Sequence, residues 1–171
     1  ETAGGGGASD IDGLSDAVSG ITNFTNSLII GHQTTGTLSS ADGNTAVGYA
    51  AMDAITSGDN NVAVGFGSLG ANTTGASNTA VGKDALGANT TGHSNVAVGF
   101  SALDANTTSH YLVAIGHNAL GENTGGGNSV AVGYQALDAN TTGDYNGAVG
   151  ESALGVNTTA SNNTAVGTHA L

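Results

Sequence analysis

The chain contains no cysteine, no proline and no tryptophan, and its one strong base is Lys83. Without cysteine there is no disulfide framework and no thiolate metal site, and the redox compartment stays open. Thirteen acids stand against that single lysine, for a net charge of −12. Such a surface repels nucleic acid and anionic lipid and has no basic stripe for phosphates, so no nucleic-acid partner is expected. Aromatics make up 4% of the residues and charged side chains 8%. A globular core built on large side chains is therefore excluded. Apolar runs are only a few residues long, so no membrane insertion is expected. Chemistry is scarce too: no GxSxG elbow, no HExxH and no phosphate loop occurs. A packed Ala/Val interior offers no desolvated cleft. The expectation is a protein that is not an enzyme and carries no cofactor.

What is present is a repeat. Glycines recur at Gly31, Gly48, Gly65, Gly82, Gly99, Gly116, Gly133, Gly150 and Gly167, 17 residues apart with no insertion or deletion. Clear units read NVAVGFGSLGANTTGAS from Asn61, NTAVGKDALGANTTGHS from Asn78 and NVAVGFSALDANTTSHY from Asn95. Constant spacing means that each unit sits on the next in one geometry, which is a solenoid. The fixed apolar phase and low charge density argue against disorder despite 30 glycines. The sequence predicts an all-β parallel β-solenoid, or β-roll, of nine 17-residue coils over 27–171, the last incomplete. Residues 1–26, with GGGG at 4–7 and apolar Ile11, Leu14, Val18 and Ile21, read as a Gly-rich lead and cap. Glu1 and the half-repeat at Leu171 suggest a piece of something longer.

Positions within a coil are numbered from the residue four before its glycine. Position 4 holds Val47, Val64, Val81, Val98, Ile115, Val132, Val149 and Val166, the expected core ladder. With the β-branched residues of position 2 they form one apolar strand face. Position 9 holds Met52 and then Leu69, Leu86, Leu103, Leu120, Leu137 and Leu154. This second apolar segment reads as another short strand or a single helical turn. One thin roll cannot obviously cover both Val and Leu, so the Leu stripe is expected between chains or against a second layer of the same chain, with a parallel homotrimer as the preferred assembly. Position 12 is mostly Asn followed by Thr-Thr-Gly, a corner whose stacked amides can form a coil-to-coil ladder. Stacked at strand spacing, the repeats give a rod about 40 Å long.

Several columns invite a site. His93 and His110 share position 16 in successive coils, a weak metal candidate with no suitably spaced third ligand; two corner residues explain them better. His32 and His117 share position 6 with Tyr49, Phe66, Phe100 and Tyr134, which reads as ring packing. Asp42 and Asp59 stack at position 16, whereas Asp53, Asp104 and Asp138 at position 10 avoid adjacent coils. Calcium nonapeptides are absent, and Asp10-Ile11-Asp12-Gly13 lacks its distal Glu. Asn23, Asn72, Asn89, Asn106, Asn140, Asn157 and Asn162 begin N-glycosylation sequons. Turn chemistry accounts for the same residues. Exposed Tyr111, Tyr134 and Tyr145 are the first candidates for contact with sugars.

The pattern N-[TV]-A-V-G-x-x-A-L-x-A-N-T-T-G resembles the repeats of phage tail-fibre proteins, and the opening GGGGASDIDGLSDA resembles the lead-in of marine phage fibres. The VAVG and VAIG cores are similar to repeats of trimeric autotransporter adhesin heads. Those heads are trimers of left-handed parallel β-rolls, and the resemblance implies the same here. The 17-residue unit is longer than the adhesin repeat. The coiled-coil stalk and anchor of adhesins, and the self-cleaving chaperone that often follows phage repeats, have no counterpart in the pattern. The expected function is a structural and adhesive segment of an extracellular fibre, most of all a phage tail fibre engaged in host attachment. Its partners would be copies of itself and host-surface glycans. The alternatives are a filament or cell-surface adhesin whose subunits stack end to end, and an ice- or surface-binding solenoid using the Thr-Thr column.

Overall fold

The computed structural model describes residues 41–171, together with the backbone of two earlier strands, β1 (Ala17–Ser19) and β2 (Leu28–Ile30). The expected lead and cap, Asn23 and His32 otherwise lie outside the described residues. Each described coil contributes one three-residue strand: β3 (Thr45–Val47), β4 (Val62–Val64), β5 (Thr79–Val81), β6 (Val96–Val98), β7 (Val113–Ile115), β8 (Val130–Val132), β9 (Gly147–Val149) and β10 (Thr164–Val166). They form one sheet in sequence order, parallel from β2 onward, while β1 pairs antiparallel with β2. The register is 17 throughout, so Val64 pairs with Val81 and Val81 with Val98. The chain is thus an all-β parallel β-solenoid, with seven full turns between β3 and β10. Seven steps at strand spacing make that part about 34 Å long.

The second apolar segment is neither strand nor helix. After each strand the chain runs through consecutive turns, and no helix occurs among the described residues. The turns are built from left-handed backbone: position 9 has φ near +50° at Leu69, Leu86, Leu120 and Leu154, and position 7 does the same at Ala50, Asp84 and Ser101. A left-handed Leu costs roughly 1–2 kcal/mol. Full burial of its side chain contributes about 1.5–3 kcal/mol, and its N–H gains a partner one coil on, as in Leu69 N–H to Ala85 O at 3.0 Å. Burial and bonding together outweigh the strain. The glycine at position 5 is fixed by two constraints. Gly48 has φ +135°, and a Cβ there would lie 2.6 Å from the Gly65 carbonyl oxygen of the next coil.

The interior corrects the expected core. Alanine at position 3, not valine at position 4, points inward: Ala46, Ala63, Ala80, Ala97, Ala114, Ala131 and Ala148 are fully buried. They pack with position 8 alanines and with Met52, Leu69, Leu86, Leu103, Leu120, Leu137 and Leu154 in one continuous cluster. Val47, Val64, Val81, Ile115 and Val149 form the ladder in register but stand on the outer face, 36–44% exposed; Val98 and Val132 are half-buried and Val166 is exposed. The reason is space. A 17-residue loop with short sides has room for a methyl beneath each strand because leucines enter from the opposite side. The Leu stripe from Leu69 to Leu154 is therefore buried within its own chain, where the turns that carry it pack against the strand alanines, and leaves no surface for an inter-chain seam.

Two asparagine ladders line this core. At position 12, the Nδ2 of Asn89 donates to Asn72 Oδ1 (2.9 Å), Asn106 to Asn89 (3.1 Å), Asn140 to Asn123 (3.1 Å) and Asn157 to Asn140 (3.0 Å). Each amide also caps its own corner, as in Asn72 to Gly75 O at 2.9 Å. This ladder was expected from the sequence. The second, at position 1, was not: Asn61 Nδ2 donates to Asn44 Oδ1 and Asn78 Nδ2 to Asn61 Oδ1, both at 3.1 Å. Leu112 and Ser129 interrupt it. Among the described residues no buried side-chain nitrogen or oxygen lacks a hydrogen-bond partner. The interior is complete within one chain.

Candidate functional site

The surface divides into columns, each repeating once per coil. On the strands, positions 2 and 4 face outward, and neither column carries a charged residue anywhere from β3 to β10. Beside them, position 6 holds a stack of exposed rings. Tyr49 lies on Phe66 with centroids 5.3 Å apart and planes 12° from parallel. Phe100 stacks on His117 at 5.1 Å, and His117 on Tyr134 at 5.2 Å. Lys83 fills the rung between, its Nζ 5.7 Å from the Phe66 centroid and 4.9 Å from that of Phe100. This is a cation–π sandwich, and the same ammonium binds Asp84 Oδ2 at 2.7 Å. The ring-packing expectation for this column holds at each described position. Because the rings face one another along the roll, those inside the stack turn edges rather than faces to solvent. Tyr134 ends the stack, with His117 on one face and Glu151, not a ring, at the next rung.

Position 16 follows a different logic. Asp59 Oδ1 accepts the Asp42 N–H (2.8 Å), His110 Nδ1 the His93 N–H (3.0 Å), Asp144 Oδ1 the Gly127 N–H (2.7 Å) and Ser161 Oγ the Asp144 N–H (2.9 Å). Where the column carries an acceptor it caps the backbone of the coil before, which is why Asp, His and Ser interchange there, while Ala76 and Gly127 lack one. His93 and His110 are stacked with centroids 3.8 Å apart, but a backbone donor occupies His110 Nδ1. No group of three or more His, Asp or Glu side chains among the described residues is arranged to hold a metal. Desolvation first, and then neighbouring His93, lowers the His110 pKa below its ordinary value. The Nδ1 acceptor role requires that same neutral ring.

On the turn side, the Asp104 pKa is raised by burial and then by the Asp84 charge, against the opposing pull of Lys83. Burial and the nearby Glu122 likewise raise that of Asp138. The sequon column is mostly internal. Asn72, Asn89, Asn106 and Asn140 are fully buried with their amides in the ladder, which removes them as glycan acceptors on the folded chain. Asn157 is half-buried and bonded in the same way, while Asn162 is exposed. The Thr-Thr corner is also partly consumed. Position 13 hydroxyls donate to the next coil, as Thr73 Oγ1 does to Thr90 O at 3.0 Å, which leaves position 14 as the free threonine column.

The outer strand face runs uncharged from β3 to β10, bordered by rings from Tyr49 to Tyr134 with Lys83 between them, and beside the position 14 threonines it is the surface that the interior leaves free. Its functional residues were misread in the sequence because V-A-V has two apolar faces. The within-chain signal was the strictness of position 3, always Ala from β3 to β10, beside a position 2 that admits Val, Thr and Gly. No family model, no curated protein and no solved structure matches this chain.

Proposed function

We propose that the chain is a structural and adhesive repeat segment of an extracellular fibre, of the phage tail-fibre kind, that works by assembly and surface contact rather than by catalysis. Copies associate in parallel as a homotrimer through the outer strand face. The observation that carries this is the contrast between a self-sufficient interior and an uncharged Val-rich face with a ring stack along its border. At a net charge of −12, rods repel one another everywhere except through a face without charge. Roughly 34 Å of length by about 10 Å for a three-residue strand gives ~340 Å² per copy, within the range of the largest apolar patch on an ordinary monomer. Two such strand faces bury ~700 Å², and the bordering ring column together with each added coil extends the contact toward the ~1,000 Å² of a specific interface.

The absence of cysteine makes a clean test. In a parallel, in-register trimer, position 4 of each copy meets its counterparts at equal height. Val81→Cys is expected to form disulfide-linked pairs on mild oxidation, while Thr91→Cys in the exposed corner column stays single. Equal yields from both, or none from Val81→Cys, would remove the proposed interface.

A further inference from the structure

The position 16 column lacks its acceptor at two rungs, Ala76 and Gly127, and only Gly127 has no side chain at all. In the coil 112–128 the corner reads Gly125-Gly126-Gly127, where neighbouring coils carry Thr at position 14 and His or Asp at position 16. The missing side chains leave a cleft of about 300 Å³ lined by His110, Tyr111, Asn128 and Asp144, with Thr108 and Ser109 at its side. Below the gap, His110 is stacked on His93 through one ring face, and the other face is turned toward the rung that Gly127 leaves vacant. Above it, Asp144 reaches down to the Gly127 N–H with Oδ1, which brings its second carboxylate oxygen to the same gap. Tyr111, 58% exposed, stands edge-on to the His stack, at 85° to His93. The rungs of His110 and Asp144 are two strand spacings apart, about 9.6 Å. That admits one ring laid on the imidazole.

We propose that this cleft binds one neutral pyranose ring of a glycan, stacked on His110 and flanked by Tyr111, with Asp144 accepting from adjacent hydroxyls. The cleft offers both halves of that chemistry. Imidazole and phenol faces suit the C–H face of a sugar. The free carboxylate oxygen makes charge-assisted hydrogen bonds to hydroxyls. Because His110 Nδ1 is an acceptor, its neutral ring carries the proton on Nε2 and adds a donor, as does the Asn128 amide. An organic cation would use the rings and the carboxylate but none of these donors. An acidic sugar would meet the chain's negative charge. The site is built from a single chain, so it stands or falls separately from the homotrimer.

The test fills the rung with what the column already accepts. Gly127→His would extend the His93–His110 stack, and Gly125→Thr restores the common corner residue. A Cβ at Gly127 comes 3.3 Å from His110 O, and one at Gly125 comes 3.4 Å from the Thr142 methyl, so both sites have room or nearly so. Saturation-transfer NMR and calorimetry on the full chain would use neutral gluco-, galacto- and manno-oligosaccharides, with sialyllactose and tetramethylammonium as the other arms. The expected result is binding of at least one neutral saccharide, weakened tenfold or more by Gly127→His and by Tyr111→Ala, with unchanged circular dichroism. Tyr111 is exposed, so its variant keeps the test valid if the filled one folds poorly. No saccharide binding, undiminished binding to both variants, or tighter binding of tetramethylammonium or sialyllactose would each overturn the proposal.

Discussion

Alanine at position 3 and valine at position 4 (isoleucine in β7) are adjacent on every strand from β3 to β10, yet the first is enclosed and the second stands on the outer face. In most half-buried strands the larger apolar residue faces the core. Here the order is reversed, because the leucines of the turns fill the interior from the far side and leave a methyl-sized space under the sheet. The difference separates two roles that a sequence pattern merges. Inward columns (Ala, Leu and the two asparagine ladders) hold coil to coil, and outward columns (Val and the position 6 rings) are free to hold chain to chain.

The largest expected effect comes from the inward side. Leu103→Asp places an unpaired carboxylate where exposure is nil. Such burial is costly enough to exceed the stability of an ordinary domain's margin, so the chain is expected to lose its cooperative thermal transition. A melt within a few degrees of the parent would show that the Leu column is not the core.

The asparagine ladder divides a corner in the same way. Asn89→Ala removes the bonds from Asn89 Nδ2 to Asn72 Oδ1 and Gly92 O and the one that its own Oδ1 accepts from Asn106. With buried partners left unpaired, a loss of about 2–4 kcal/mol is expected by denaturant unfolding. Thr91→Ala, two residues away in the exposed column, is expected to stay within ~0.5 kcal/mol. Equal effects would mean that the ladder contributes no more than the surface does.

The smallest effect is a pH dependence. The folded pKa of His110 lies below its unfolded value, so the unfolded chain binds the extra proton first. Stability is full above the ordinary histidine value and declines as pH falls from there through the folded pKa. Asp104 and Asp138 act in the opposite sense: their raised pKa values mean that stability declines as pH rises from the ordinary carboxylate value through the folded ones. His110→Ala is expected to reduce the dependence below the ordinary histidine value, measured by melts across that range, and Asp104→Asn to raise the melting temperature at neutral pH. An unchanged slope in the first variant would detach His110 from the backbone bond assigned to it.

Much of this architecture could be read from spacing alone. The unbroken 17-residue interval gave the solenoid, its register and the stacking of like on like, and the Asn-Thr-Thr corner gave one ladder. Orientation escaped for a physical reason: alternation identifies two faces but not which one is inside when both are apolar, as with Ala80 between Thr79 and Val81. The left-handed leucines escaped because Leu carries no local preference for that conformation, and only burial of the side chain and the bond to the next coil impose it. The empty rung at Gly127 was visible as a departure from the repeat, but its meaning needed His110 and Asp144 on either side.

The central claim is that the outer valines serve association and not the fold. Val64→Asp combined with Ile115→Asp, three coils apart so that the new charges do not pair as neighbours, tests it by light scattering alongside a thermal melt. The parent is expected to show the mass of three copies and the variant that of one, with melting of the isolated roll changed by about 1 kcal/mol or less. A parent of single-copy mass at the same concentration, or a variant that keeps the parent's mass or loses its fold, would contradict the account.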